Sequence, residues 1–547
     1  MVQSKVEWLP HLSPEVMEDA RGHELDAYAV ALEGWRRGLT LRWHVKDSEK
    51  FADMKTWFVD KPGKLFSLSS NERTHYFFKT RGDKVTNEAV EIGADKEETK
   101  RYLEKAGVSV PQGKRLLEDA SNEEIEDYAS SIGFPIVLKP TDGSFGRGVM
   151  TNIQSAEELS EALTHVRSNL KYSDVIVERY IAGEEYRVYV VGDQVVAAVN
   201  RIPANVVGDG SSSIQSLIEQ KNQLRELNPR LISCLIKVDS EMKNFISAQG
   251  LTLESIPKKG EKVFLTDKSN ISIGGDPIDV LDELSVEVKD TAVRAVQAVP
   301  GLHHVAVDLI IEKDQPLETA TVIIELNPTA QIGSLLFPMQ GQARDVPAAI
   351  IDFYFPETKE IVTDKAKIYF DFPDIIEPLK TRSATVTTVS AAPVGNIYAK
   401  KYIVSGDVQG IDYHRGLRKR AFELKLSGFV RNLENDDIEV VVTGTNHENV
   451  DDFRKALFED PERSDVQAVQ EEPWDGPVKV GFEVKADLKT QVEQLRLMKQ
   501  EMDLLEKEFK KVEREHRKYA KNFTWRMTLP FRKLADLFKY IARSFGG

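Results

Sequence analysis

VAVDLIIEKDQPLETATVIIELNPTAQIG, residues 305–333, places Asp308 in one β-branched apolar run and Glu325 and Asn327 in the next. The polar break around Asp314–Pro316 separates the runs, so the segment reads as two strands. Glu325 and Asn327 are two apart and share a face of their strand. Three oxygen ligands converging from adjacent strands suit Mg²⁺, which takes carboxylates together with phosphate oxygens.

Outward from this stretch the same alternation continues. VIVERYI (175–181) and RVYVVGDQVVAAV (187–199) read as strands, the second folded at a Gly192–Asp193 hairpin turn. EETKRYLEKAG (97–107) and SVEVKDTAVRAVQAV (285–299) read as helices, the first stopped by Gly107. The expected class is α+β with long antiparallel strands. Residues 1–90 form a first lobe with amphipathic stretches such as 24–37. Residues 91–357 form the main domain and 358–395 a linker or partly ordered strap. A compact unit follows at 396–485, then a coiled coil at 486–521 and a basic tail at 522–547.

Composition narrows the function classes. The 547 residues are 41% hydrophobic and 29% charged, enough to bury large cores. Cys234 is the one cysteine, which excludes an intramolecular disulfide or a thiolate metal cage. No run is long and apolar enough to span a bilayer and no secretory leader is visible, so the expectation is cytoplasmic. Residues 486–547 carry 15 basic and 9 acidic residues, while the remainder carries 58 and 79. An acidic body of this kind argues against nucleic acid as a partner.

VLKPTDGSFGRGVM (137–150) sets Lys139 at a strand end before Gly143, Gly146 and Gly148. Glycines let backbone N–H groups approach a polyanion, and the lysine adds a mobile cation.

These stretches, with DKVTNEAVEIGADKEETKRYLEKAGVSVPQG (83–113), EEYRVYVVGDQVVAAVNRIPANVVGDGSSSIQSLIEQKN (184–222) and NISIGGDPIDVLDE (270–283), resemble the ATP-grasp superfamily over residues 83–356. The likeness is to the ATP-grasp parts of cyanophycin synthetase and bifunctional glutathione synthetase. It implies ATP held between two α+β lobes. Lys96 and Lys139 would meet phosphates under a cover of Gly143, Ser144, Gly146 and Gly148. The backbone of Glu178, Arg179, Tyr180 and Ile181 would read adenine, with Glu184 or Glu185 near the ribose. Asp308, Glu325 and Asn327 would hold Mg²⁺, Arg201 would face the reactive carboxylate, and Asn270, Gly274 and Gly275 would line the acyl-phosphate pocket. The implied activity is ADP-forming carboxylate–amine ligation on an amino acid, peptide or envelope-polymer precursor, with small carboxylates and amines as substrates. The partner catalytic modules of the two named enzymes are not visible in this chain, because residues 1–82 are too short for either.

IVSGDVQGIDYHRGLRKRAFELKLSGFVRNLENDDIEVVVTG (403–444) resembles acylphosphatase, a ferredoxin-like sandwich. The resemblance implies a phosphate loop at Gly406–Gly410, including Gln409, and a water-orienting Asn432. The arginine expected four residues after Gly410 is His414, and Arg415 comes one residue late, about 100° round a helix. Asp407 and Asp412 add negative charge beside the loop. The preferred reading is a catalytically retired fold, with His414 as a weaker anion ligand when protonated; an active acylphosphatase is the alternative.

Leu495, Met498, Met502, Leu505, Phe509, Val512, His516 and Tyr519 alternate by 3 and 4, a coiled-coil seam that predicts a homo-oligomer. Residues 525–545 form a basic amphipathic pattern suited either to the inner membrane face or to a protein partner. TWRMTLPFR (524–532) resembles the ends of bacterial surface-glycan glycosyltransferases. That leaves a second class of function open, a non-catalytic nucleotide-binding scaffold for glycan assembly.

Overall fold

A computed structural model describes residues 6–57, 59–141, 148–459 and 464–485, with scattered positions between 499 and 512. Its chain forms two compact units. The first comprises Met1–Tyr398 with Thr443–His447 and Asp475–Val480; the second comprises Ala399–Val442, Glu448–Trp474 and the chain beyond Gly481.

The first unit is built around a five-stranded antiparallel sheet. Its strands are β1 (Gly183–Val191), β2 (Gln194–Ile202), β3 (Asp276–Asp279), β4 (His304–Glu312) and β5 (Thr321–Asn327), in the order β3-β2-β1-β4-β5. Gly192 takes φ +63° at the hairpin between β1 and β2, as a tight turn there requires. Strand alternation sends Val188, Val190 and Val307 to one face, where Val288, Ala292, Ala295 and Val296 of helix Val286–Gln297 cover them. The other face carries Tyr189, Val199 and Ala306. A four-stranded antiparallel sheet, in the order Gly113–Leu116, Val175–Arg179, Ile136–Pro140, Met150–Ile153, forms the lobe that bears the glycine-rich segment. Helix α1 (Lys96–Lys105) is capped by Asp95, and helix α2 (Ile214–Leu227) by Ser213.

Two expectations are corrected together. Helix Leu25–Arg36, expected to be amphipathic, is buried on every side. The cause lies in 358–395, expected as a linker or strap. Ile368, Phe370, Phe372, Ile376 and Leu379 join the helix's core, and strand Val386–Thr388 extends a sheet of Thr40–His44, Leu65–Ser69, Thr74–Phe78 and Arg81–Gly82. Two polar atoms on the helix bond the same segment: Trp35 Nε1 donates to Ser390 O at 2.6 Å and Arg36 Nε to Ile368 O at 2.8 Å. The acidic and Thr/Ser-rich composition hid a handful of well-spaced aromatic and aliphatic anchors.

The second unit runs strand–helix–strand–strand–helix–strand: Tyr398–Asp407, Ile411–Glu423, Ser427–Asn432, Ile438–Gly444, His447–Ala456 and Asp465–Pro473. This is the ferredoxin-like order expected of it. Phe482–Lys485 adds a strand parallel to Ser427–Asn432. Tyr402, Tyr413, Leu417, Val440 and Phe453 fill its core.

Of the seam positions, Met502, Leu505, Phe509 and Val512 are helical and exposed. The rest of the seam and the whole tail 522–547 lie outside the described residues. Among the described residues no helix is long and apolar enough to cross a membrane.

Candidate active site

The site is assembled on the face of the central sheet that carries Tyr189. Asp308 on β4 lies in register with Arg187 on β1 and with Glu325 on β5. Arg187 grips both Asp308 oxygens, Nε to Oδ1 at 2.8 Å and Nη2 to Oδ2 at 2.9 Å. Arg201 on β2, 7% exposed, brings Nη2 to 3.2 Å from Asp308 Oδ2 and pairs with Glu185. Asn327 Nδ2 lies 3.4 Å from Asp308 Oδ2. Burial opposes charge on Asp308, but the Arg187 and Arg201 guanidiniums outweigh it and hold the carboxyl below its ordinary range. Arg187 is pushed the opposite way, upward, because Asp308 overcomes its own desolvation. Arg201 Nε is buried with no hydrogen-bond partner among the described residues. A buried guanidinium donor left unpaired can take an acceptor from outside the chain.

The donor set fits a hard divalent cation. Asp308 and Glu325 offer carboxylate oxygens and Asn327 an amide oxygen, from neighbouring strands, and the surrounding guanidiniums keep Asp308 ionised before any cation arrives.

Strand alternation separates the two ribose candidates. Glu185 shares the face of Arg187, joins Arg201 and accepts a bond from Ser269 Oγ. Glu184 points to the other face, where it accepts from Tyr186 Oη at 2.7 Å and Asn200 Nδ2 at 3.0 Å. Asn270 precedes a short 3₁₀ turn, Ile271–Ile273, that ends on Gly274 at φ +108°. Asn270, Gly274 and Gly275 thus form one compact turn tied through Ser269 to Glu185, and so to Arg201. Arg187 and Ser269 escaped sequence reasoning. Arg187 had a usable signal, since it stands two residues after Glu185 in a strand and must share its face.

The phosphate side comes from two other elements. Lys139, near the end of its strand, places Nζ 2.5 Å from Glu178 Oε2. Lys96 opens α1, and burial together with the nearby Lys139 lowers its pKa, partly offset by Glu325 and Glu178. Lys96, Lys139, Glu178 and Glu325 line one small cavity. A second, of about 290 Å³, is lined by Lys96 with Lys55, Asp95, Arg115 and Thr141. Two facing lysines, one of them disfavoured as a cation, form a natural receptor for a polyanion that neutralises both. In the segment expected to read adenine, Arg179 N–H donates to Gln112 O at 2.7 Å and Tyr180 N–H to Pro135 O at 2.9 Å, while Ile181 N–H has no backbone partner among the described residues. Gly143, Ser144 and Gly146 lie outside the described residues. Gly148 takes φ +73°, packed against Pro140.

In the second unit Gly406 takes φ +130°, and a Cβ there would collide with Asp465 O. Gln409 Nε2 donates to Asp436 O, and Gly410 opens helix Ile411–Glu423. His414 is 3% exposed, with Nε2 3.1 Å from Val408 O, and burial lowers its pKa. This side chain is pinned to a carbonyl of the loop itself, an arrangement that speaks against its expected use as a protonated anion ligand. Asn432 Oδ1 is buried with no hydrogen-bond partner among the described residues. Arg415 lies in solvent, 3.5 Å from Asp412 Oδ1.

Fold and site together define an ATP-grasp domain followed by an acylphosphatase-like domain. Residues 93–225 match the RimK-like ATP-grasp domain, and residues 400–484 match acylphosphatase. The chain is similar to the cyanophycin synthetase of Crocosphaera subtropica, 36% identical over 277 residues, which are 49% of this chain and 31% of that protein. It is also 36% identical over 269 residues to the glutathione biosynthesis bifunctional protein of Pasteurella multocida, covering 47% and 35% of the two chains. The crystal structure of a bifunctional glutathione synthetase from the same organism aligns with a TM-score of 0.43 at 30% identity, over 55% of this chain and 41% of that one. The chain spans about a third of the length of these curated relatives.

Proposed function

We propose that the first unit is an ADP-forming ligase that joins a carboxylate to an amine through an acyl phosphate, with an amino acid or peptide as substrate. The observation that carries this reading is Arg201: buried, ion-paired to Glu185 and Asp308, and left with an unpaired Nε on the face where the oxygen ligands meet. A carboxylate is a poor electrophile. Its oxygen attacks the γ-phosphorus of ATP, ADP leaves, and the amine then attacks the activated carbonyl carbon and expels phosphate. Arg201 orients the carboxylate and balances the charge that builds on it. Lys96 and Lys139 bind the phosphate chain, and Glu178 holds Lys139 in place before the nucleotide arrives. Asp308, Glu325 and Asn327 would hold Mg²⁺, which neutralises phosphate oxygens during transfer. The amine loses its proton to solvent or to the product phosphate.

The test is phosphate release from ATP, Mg²⁺ and pooled amino acids, with Glu325→Ala as control. Release that depends on amino acids and disappears in Glu325→Ala is the expected result. Absence of release together with absence of MgATP binding by calorimetry would defeat the catalytic reading and favour the scaffold.

For the second unit, we infer an acylphosphatase fold without efficient catalysis. His414 occupies the place of the anion-binding arginine and spends its Nε2 on Val408 O.

A further inference from the structure

Helix α2 begins as an ordinary packing helix. Ile214, Leu217 and Ile218 enter a small core with Val206, Ile236, Ile246 and Val263. One turn later the buried side carries Lys221, Asn222 and Arg225 instead, with Arg225 fully buried. Polar groups in such a position destabilise a helix contact unless every one finds a partner. Here they do, and apart from Asn205 the nitrogen and oxygen partners lie on two chain segments, 234–236 and 275–276. Asn222 bonds both backbone groups of Ile236, Nδ2 to O at 2.9 Å and Oδ1 from N at 2.8 Å. Arg225 donates from Nε to Cys234 O at 3.0 Å, from Nη2 to Gly275 O at 3.1 Å and from Nη1 to Asp276 Oδ1 at 2.9 Å. Lys221 Nζ reaches Asp276 Oδ2 at 2.5 Å and Asn205 O at 2.7 Å, and Asn205 Nδ2 adds a further bond to Asp276 Oδ2 at 3.0 Å.

Both segments abut the Asn270–Gly275 turn. A Cβ on Gly274 would lie 2.7 Å from Ile236 Cγ1, the residue that Asn222 holds, so the turn rests directly on that side chain. Gly275, gripped through its carbonyl by Arg225, closes the turn, and its own missing Cβ would lie 2.8 Å from Ser269 O. The opposite end is held by Ser269 Oγ on Glu185, the partner of Arg201. The turn is therefore stretched between two anchors: the Arg201 cluster on one side and α2 on the other.

We propose that Lys221, Asn222 and Arg225 are positioning residues for the carboxylate and acyl-phosphate pocket, acting through Ile236, Gly275 and Asp276 on the Asn270–Gly275 turn. This rests on the ligase reading, in which that turn lines the pocket. None of the three touches the nucleotide side, whose lysines lie on α1 and on the glycine-rich lobe. Their loss therefore impairs the geometry of phosphoryl transfer while sparing nucleotide affinity.

The experiment uses the full chain and measures MgADP binding by calorimetry with and without aluminium fluoride, which with MgADP occupies the place of the phosphoryl group in transfer. The expected result is that aluminium fluoride tightens MgADP in the native protein. In Arg225→Met and Asp276→Asn the MgADP Kd stays within about twofold, while the tightening falls about tenfold, the scale of losing hydrogen bonds to a charged group. Arg225→Lys, which keeps the Asp276 pair but loses the Gly275 bond, falls between. Amide exchange at 270–276 accelerates in the same variants and not in β1 or β2. Lys221→Met, which leaves the Arg225–Asp276 pair in place, serves if the stronger variants do not fold. Full tightening in folded variants, or parallel loss of MgADP itself, overturns the proposal. A native protein that binds no MgADP instead overturns the ligase reading, a result distinct from the first two.

Discussion

Two buried cationic positions in this chain have opposite surroundings. In the first unit the buried Arg201 and the half-buried Arg187 face Asp308 and Glu185, so each guanidinium has a carboxylate partner where water is scarce. In the second unit His414 is buried with the carbonyl of Val408 against its Nε2, and among the described residues no carboxylate forms an ion pair with it. Burial then favours the neutral ring. A buried imidazole, whose pKa lies near neutrality, keeps a charge only where a counter-charge offsets its desolvation, whereas Arg187 and Arg201 stay charged and have their carboxylates supplied by neighbouring strands.

The largest expected effect removes the counter-charge. Asp308→Asn leaves Arg187 and Arg201 partly unpaired, and the expected outcome is loss of amino-acid-dependent phosphate release together with about 3–5 kcal/mol of stability, read by chemical denaturation. Retention of stability would mean that Glu185 alone suffices for both guanidiniums.

An intermediate effect concerns a buried histidine held between two tyrosine hydroxyls. His304 lies between Tyr189 Oη at 3.3 Å and Tyr354 Oη at 3.1 Å, and burial, with His303 and Arg81 nearby, pushes its pKa down from 6.5 to about 3. The neutral ring is the native form, so its contribution is complete above pH 6.5 and is lost as pH falls toward 3. The unfolded chain binds the extra proton, hence stability declines by about 2 kcal/mol between pH 7 and pH 5 from this group alone. Denaturation followed through the buried Trp35 and Trp43 should show that slope, and His304→Gln should flatten it. An unchanged slope would assign the acid sensitivity to other groups.

The smallest effect restores a charge. His414→Arg is expected to raise hydrolysis of a simple acyl phosphate above the native rate, limited by the lack of a carboxylate to hold the new guanidinium and by overpacking of about 1–3 kcal/mol. A substantial native rate with no gain in the variant would establish the second unit as an active acylphosphatase by another route.

Much of the first unit was legible because strands alternate with period two. The spacing of Asp308, Glu325 and Asn327 puts them on neighbouring strands, and the hairpin at Gly192–Asp193 follows from turn chemistry. The same rule, applied once more, would have distinguished Glu185 from Glu184 and drawn attention to Arg187. The burial of helix Leu25–Arg36 was not legible, because its covering segment lies more than 300 residues away in a stretch whose composition reads as a linker. The role of α2 was hidden for a related reason: Lys221 and Arg225 look like solvated helix residues until Asp276 is brought beneath them.

What the sequence determined by itself was local: hydrophobic period, glycine placement and the order of charged residues within each strand or loop. What only the tertiary structure decided was pairing: which carboxylate meets which guanidinium, which carbonyl accepts from His414, and which turn α2 holds. Local propensities act over a few residues and are written into them. Burial of charge is instead settled by whatever distant segment supplies the counter-charge or the hydrogen bond, and that is a property of the fold.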